Sequence, residues 1–397
     1  YFYFINFNGN IFNSLARNFL MKIAIPKEKT SGEKRVAITP ETVKKYVQLG
    51  FDVAIETNAG QGSLILDELY NEMGAKIAES PKEILSEADV VLKVREPQDD
   101  EIGLYKKDSA IIGLFSPYNN QDILQKFAAS NVCAFSMELM PRITRAQSMD
   151  VLSSQSNLMG YKAVLDAAHI YNRAMPMMMT AAGTIAPARV MIMGAGVAGL
   201  QAIATAKRLG AIVSATDVRS AVKEQVESLG AKFVSVDEHE GDDMETSGGY
   251  AKEMSDEYKA KQTKVIFETV KQQDIVICTA LIPGKKAPVL ITKEMVESMK
   301  PGSIIVDLAV EQGGNCPLSK LGEVVNINGV SIVGYENYPS RISKDSSSLY
   351  SRNLYNFVHL LVNQEEKKIK IDWEDEIIKG VGLTRDGKIV HPNFIGK

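Results

Sequence analysis

Short apolar runs alternate with amphipathic stretches along the chain. "MKIAIPKE" reads as a buried strand over 22–25, and Pro40 opens "ETVKKYVQLG" as a helix that Gly50 closes. "FDVAIET" is the next strand, followed by a helix near 81–86, strands over 89–94 and 109–115, a helix over 120–130 and a strand over 132–138. Strands that are apolar at nearly every position belong to a parallel sheet covered on both faces. A second series runs from "ARVMIMG" at 188–194 to "SIVGYEN" at 331–337, and a helical segment of about 149–172 links the two. Near the end, "SSSLYSRNLYNFVHLLV" reads as an amphipathic helix and "GLTRDGKIVHP" as a hairpin turning at Asp386 and Gly387. This tail is expected to return to the first domain.

A polar knot, "PRITRAQSMDVLSSQS", interrupts the pattern between the two series. It carries Arg142, Gln147, Asp150 and Ser153, and from Gln147 onward the spacing of three puts an amide, a carboxylate and a hydroxyl on one helical face. Downstream, "ARVMIMGAGVAGLQAIATAKRLGAIVSATD" holds G-x-G-x-x-G as Gly194, Gly196 and Gly199, after an apolar strand and before a helix ended by Gly210. The next strand ends in Asp217, about 20 residues on, where a ribose-binding carboxylate belongs. Gly194 permits the tight turn, Gly196 admits a pyrophosphate to the backbone, and Gly199 lets helix and strand pack closely. Val197 and Val218 belong to the same cofactor surface. Asp217 repels a 2'-phosphate and so selects NAD over NADP. Arg219 reads as a solvated charge at a helix start.

The buried strand in "QDIVICTALIPGKKAP" empties into Thr279, Ala280 and Leu281, which either border the nicotinamide half of the cofactor or form an ordinary turn. The expected architecture is α/β, two Rossmann-like domains with parallel doubly wound sheets and an interdomain cleft. The first covers 21–140 plus 341–397 and the second 145–340. A long acidic insertion before the helix near 261–271 contains Gly248, Gly249 and Tyr250, with Met254 one turn later, and reads equally as a lid or as a solvated loop. "MPMMMTAAG" reads as packing or as a dimer surface.

Composition narrows the chemistry. The chain of 397 residues suits two domains, its 45% apolar and 24% charged residues are those of a globular protein, and a net charge of -4 gives no footprint for nucleic acid. The most apolar stretch, 174–206, is broken by Pro176, Pro187, Arg189 and Gln201, so it does not span a membrane. Cys133, Cys278 and Cys316 form no CxxC pair and read as packing thiols of a reducing compartment. The four histidines show no metal spacing, and no metal is expected. Residues 1–20 precede Met21, differ in composition, and read as an extension upstream of the true start.

"RITRAQSMDVLSSQSN", "GAGVAGLQAIATAKRLGA", "SGGYAKEM", "TALIPGK", "VDLAVEQGGNCP" and the opening "KIAIPKEK" with "EKRVAITPETV" together resemble the NAD(H)-binding component of proton-translocating nicotinamide nucleotide transhydrogenases, from about Met21 onward. The resemblance implies that Arg142, Gln147, Asp150 and Ser153 orient the nicotinamide and that Tyr250, with Met254, sits on a mobile lid. It further implies a homodimer that docks on an NADP(H)-binding domain, with Si/Re-specific hydride transfer coupled to proton movement by a membrane subunit. The sequence runs to "VHPNFIGK" without a membrane segment, as in forms whose NAD(H) component is a separate peripheral subunit on the cytoplasmic face of the inner membrane. Hydride passing directly between two nicotinamides moves no proton at the reacting carbon, so the site needs alignment rather than an acid or base.

Alanine dehydrogenases share the opening motif, where Arg35 matches their substrate-carboxylate arginine, and supply the competing reading; a non-catalytic NAD-binding module is the third. The lysine of the dehydrogenase "LKVKEP" is Arg95 here, its histidine is replaced at about Ser116, and its aspartate before "QGG" is Glu311. Arginine does not act as a neutral base at ordinary pH, so Arg35 and Arg95 read as structural.

Overall fold

A computed structural model describes residues 21–235, 256–282 and 284–396. The chain divides into two compact units, one reaching Leu152 and resuming at Ser343, the other Ser153–Ile342.

The first unit is built on a six-stranded sheet of β1 (Met21–Ile25), β2 (Phe51–Glu56), β3 (Lys76–Ala78), β4 (Val90–Leu92), β5 (Ala110–Gly113) and β6 (Cys133–Ser136). Its order is β3-β2-β1-β4-β5-β6 and every pair is parallel. Sequence reading missed β3 and drew β4 to β6 one residue too long at the start and two at the end. Pro40 opens α1 (Pro40–Gln48) and Gly50 follows it at φ +93°, as the helix signals indicated. The period of two sorts each strand's residues between two cores. Ile23, Val90, Leu92, Ile112 and Phe135 join one, while Ala24, Val91, Ile111 and Ala134 join the other, so both faces are covered.

The returning segment completes this unit. Helix Ser343–Leu360 contributes Tyr350, Leu354, Phe357 and Val358 to the first core. Trp373 stacks on Phe135 at 5.6 Å between ring centroids, and the Leu383 N–H donates to the Ala134 carbonyl at 2.8 Å. The terminal hairpin pairs Thr384–Arg385 with Lys388–Ile389, with Asp386 and Gly387 at φ +50° and +72°.

The first strands of the second unit form an antiparallel hairpin, β7 (Met178–Thr180) and β8 (Gly183–Ile185). A seven-stranded sheet follows, of β9 (Arg189–Met193), β10 (Ile212–Thr216), β11 (Lys232–Phe233), β12 (Ile275–Cys278), β13 (Ile304–Asp307), β14 (Val324–Ile327) and β15 (Val330–Val333). The order is β11-β10-β9-β12-β13-β15-β14, parallel except for β14, an antiparallel edge strand that periodicity did not separate from β15. Both sheets reverse direction of growth beside their first strand, which in unit two places the switch point between β9 and β12. Val190, Ile192, Ile275 and Ile277 face one core, Met191, Met193, Val276 and Cys278 the other.

The first core also buries charge. Lys93, with 1% of its side chain exposed, donates to Glu101 at 2.9 Å and lies 3.6 Å from Glu28. Burial pushes the Glu28 carboxyl above its ordinary value against the pull of Lys93. Lys93→Met removes the buried ammonium that two buried carboxylates share and is expected to cost about 3–5 kcal/mol in urea unfolding. Lys126→Met, which removes an exposed ammonium 2.5 Å from the exposed Asp99, should cost no more than about 1 kcal/mol. Equal midpoints for the two variants would refute this ranking.

Candidate functional site

The C-terminal ends of β9, β10 and β12 converge on the glycine loop. Gly194 leaves β9 at φ +102°, and a Cβ there would lie 2.6 Å from the Thr279 hydroxyl. A Cβ on Gly199 would lie 1.8 Å from the Gly194 carbonyl oxygen, so the turn closes only with glycine at that position. Gly196 is different: its Cβ would meet nothing within 4 Å. The open space stands over the first turn of α3, which follows α2 of the linker (Val151–Ile170) and spans Val197–Arg208. In that turn the Leu200 N–H donates to the Gly196 carbonyl at 2.8 Å, and the N–H groups before it are the ready donors of a helix N-terminus. Thr279 ties β12 to this loop by donating its hydroxyl to the Gly194 carbonyl at 2.9 Å.

Asp217, at the end of β10, accepts from the Ala195 N–H at 2.7 Å, and from Arg219 through its backbone N–H and Nε at 2.9 Å each and Nη2 at 3.0 Å. Arg219 is therefore not the solvated charge that sequence reading made it; two residues beyond the carboxylate, its planar fork reaches back to both oxygens. Burial works to raise the Asp217 carboxyl, but the bonds from Arg219 and Ala195 outweigh it and hold the group below its ordinary value. Val218 follows half-buried and Val197 is exposed in the first turn of α3.

The polar knot departs from the expected single helical face. Gln147 lies exposed in a 3-10 turn, Thr144–Met149, and Asp150 is extended at φ -73° and ψ 93°, so α2 begins only at Val151 and carries Ser153 in its first turn. The physical reason is the extended backbone of Asp150, which interrupts helical geometry between the 3-10 turn and α2 and so breaks the face. Arg142 is exposed just before the turn. Ala146 and Met149 anchor the turn in the first core, and Asn353 and Asn356 both donate to the Ser148 carbonyl, at 2.9 and 3.0 Å. Sequence reading passed over these two asparagines, though their spacing of three on an amphipathic helix was a signal. Arg142, Gln147 and Asp150 belong to the first unit, Ser153 to the second. Tyr250 and Met254 lie outside the described residues, as do Gly248 and Gly249.

Within the second unit, Gly160 brings α2 directly onto the glycine loop. A Cβ on it would lie 2.0 Å from the Ala198 carbonyl oxygen, and Asn157 donates to Gln201 at 3.4 Å beside it. The helix that carries Ser153 is thus seated by backbone contact on the first turn of α3. Ala280 is half-buried and Leu281 exposed at the end of β12.

The positions that matter in alanine dehydrogenases have local partners. Glu33, whose side chain is fully buried, accepts from Arg35 Nε at 2.8 Å and Nη2 at 2.6 Å, and from Arg95 Nε at 3.0 Å. Ser116, at φ +49°, donates its N–H to Glu138, a carboxyl that burial pushes up. Glu311 accepts the Asn337 N–H. Among the described residues no group of three His, Cys, Asp or Glu could hold a metal ion, and no helix is long and apolar enough to cross a membrane.

Comparison with known proteins finds two family matches, "Alanine dehydrogenase/PNT, N-terminal domain" over residues 24–159 and "Alanine dehydrogenase/PNT, C-terminal domain" over 163–392. The chain is 54% identical over 382 residues to an NAD(P) transhydrogenase subunit alpha protein of Rhodospirillum rubrum, covering 95% of this chain and 100% of that protein. A crystal structure of transhydrogenase from Sinorhizobium meliloti matches with TM-score 0.85 and 50% identity over 93% of this chain and 100% of that one. A solved L-alanine dehydrogenase matches with TM-score 0.78 and 25% identity over 94% and 98%.

The folded chain holds the Asp217 carboxyl below its ordinary value of 3.8, so its ionised form stabilises the fold above that pH, and the contribution is lost as pH falls through the depressed value. Asp217→Asn is therefore expected to be less stable than the parent from about pH 5 upward, with the gap narrowing below about pH 4. A gap in thermal midpoint that stays constant down to acid unfolding would refute the assignment.

Proposed function

The chain belongs to the alanine dehydrogenase/PNT family, in its transhydrogenase alpha-subunit branch, and on that premise we propose that it is the NAD(H)-binding subunit of a proton-translocating transhydrogenase. It passes hydride directly to or from NADP(H) held on a partner domain, while a membrane subunit couples that transfer to proton movement. The chain is then a peripheral subunit on the cytoplasmic face of the inner membrane.

The observation that supports this reading best is the dinucleotide loop, in a chain where Arg95, Ser116 and Glu311 are each held by a local partner among the described residues. Gly194, Gly196 and Gly199, the open space over Gly196 and the first turn of α3 fit a pyrophosphate. Asp217 fits a ribose diol, which displaces the Arg219 side chain from the carboxylate, and its charge disfavours a 2'-phosphate. Bound NAD(H) supplies or accepts the hydride. This chain's residues need only hold and align: Arg142, Gln147, Asp150, Ser153 and Tyr250 provide the guanidinium, amide, carboxylate and hydroxyls that set a carboxamide and its ring at near-contact distance. Val197, Val218, Ala280 and Leu281 complete the cofactor surface. Arg95 shares Glu33 with Arg35, and a guanidinium in that bond takes up no proton as a base.

The subunit is further read as a homodimer. β7 and β8 pair with each other, residues 177–186 are all exposed, and 174–188 carry no charge. Met177, Met178, Met179 and Ile185 present an apolar surface flanked by open strand edges. The hairpin joins the N-terminal end of β9, whereas the glycine loop leaves its C-terminal end, so a second copy seated there stays clear of the cofactor.

Mixing the chain with a purified NADP-binding partner domain should give hydride transfer from NADPH to an NAD analogue that requires both components. Gln147→Asn should slow the saturated rate by about 10- to 100-fold with NADH affinity nearly unchanged. No transfer from a folded, NADH-binding chain with a competent partner would overturn the reading, and alanine-dependent NAD reduction would replace it with a dehydrogenase. Sedimentation should show a dimer that Met178→Asp with Met179→Asp converts to a monomer still able to bind NADH; a monomeric parent or a persistent dimer would remove the hairpin assignment.

A further inference from the structure

The loop that follows β13 is wound around one carboxylate. Asp307 is fully buried. One of its oxygens accepts from the N–H groups of Ala309 and Asn315 at 3.0 Å each, the other from the Cys316 N–H at 3.0 Å and the Ser319 hydroxyl at 2.6 Å. Gly313 and Gly314 take φ of +92° and +76° to wind the chain around it, and a Cβ on Gly314 would lie 2.7 Å from the carboxylate. All four acceptor positions are filled by the chain itself, so this aspartate organises a loop and has no capacity left for a ligand.

The outcome of that winding is the placement of Asn315. It is fully buried, and its Nδ2 donates to the Ala280 carbonyl at 2.9 Å and to the Pro288 carbonyl at 2.7 Å. Its own backbone carbonyl accepts the N–H groups of Leu290 and Ile291 at 2.8 and 3.1 Å. Oδ1 is buried with no hydrogen bond among the described residues. The amide is nonetheless set the right way round, because the reverse orientation would press Oδ1 against two carbonyl oxygens. With the Ala280 carbonyl turned inward onto Asn315, the planar trans peptide turns the Leu281 N–H the opposite way, out of the clamp. That N–H makes no hydrogen bond among the described residues.

We propose that Asn315 is a positioning residue for hydride transfer: by holding the Ala280 carbonyl it aims the Leu281 N–H as a fixed donor toward an oxygen of the nicotinamide half of the dinucleotide. The role rests on the hydride-transfer reading above and adds to it a residue remote in sequence from the glycine loop and Asp217. Asn315 itself touches no cofactor. Its effect is on the direction of one peptide, and misdirection of a donor by about 1 Å is enough to cost a transfer rate about 100-fold.

The test uses the full chain with the NADP-binding partner domain, measuring NADH affinity and the saturated rate separately. Asn315→Ala is expected to hold NADH within about threefold of the parent while the saturated rate falls about 100-fold. In Asn315→Asp, a buried acid whose titration is pushed upward, lowering the pH restores a donor to the Ala280 carbonyl. Its rate relative to the parent should therefore climb as pH falls, which loss of packing alone does not produce. A cooperatively folded Asn315→Ala with the parent's saturated rate overturns the proposal, as does a rate and an affinity that fall in equal proportion. If the alanine variant does not fold, a pH-independent ratio for Asn315→Asp overturns it. A parent that binds NADH but transfers nothing with a competent partner removes the hydride-transfer reading and this role with it.

Discussion

A parallel sheet delivers the C-terminal ends of its strands, with backbone groups that no neighbour satisfies, to a single rim. In the second unit β9, β10, β12 and β13 end there in Gly194, Asp217, Thr279 and Asp307. Each end group is committed by its neighbours: Thr279 donates to the Gly194 carbonyl, Asp217 accepts from Ala195, and Asp307 gathers its own loop. The rim is therefore not a set of separate motifs. It is one hydrogen-bonded frame whose members restrain each other, and satisfying buried backbone polarity is the constraint from which its geometry follows.

The same commitment of polar groups to local partners extends to the positions that the competing dehydrogenase reading depends on. Chemistry on a substrate carbon needs a group free to exchange a proton. Here Arg95 is spent on Glu33, Ser116 on Glu138 and Glu311 on Asn337. The carboxylates that remain buried in the first unit are paired with Lys93 or arginine rather than directed at a reactant. On a fold shared with alanine dehydrogenase at TM-score 0.78, these groups are committed to local partners.

Much of the fold was legible because its signals are periodic or local. Strand faces, the Pro40 start, the Gly50 stop and the Asp386-Gly387 turn each depend on residues a few positions apart. The glycine loop and Asp217 were legible for the same reason. What escaped depends on distance or on backbone. The single helical face of Gln147, Asp150 and Ser153 failed because the extended backbone at Asp150 overrides spacing. Arg219 was misread because its partner is set by side-chain reach, not by period. Asn315 acts on Ala280 and Pro288, 35 and 27 positions away, and nothing in the sequence announces such a pairing except the double glycine that bends the chain toward it.

The close approach of Gly160 to Ala198 and of Gly199 to Gly194 is hard contact between neutral backbones. Dissolved ions have nothing there to screen, whereas the Asp217 and Arg219 pair, a fifth exposed on the arginine side, lies within reach of an electrolyte whose screening length is about 8 Å at physiological strength. The backbone seat is thus indifferent to ionic strength, whereas the ion pair at the end of β10 weakens as salt rises, so one loop joins a part that salt leaves alone to a part that salt can tune.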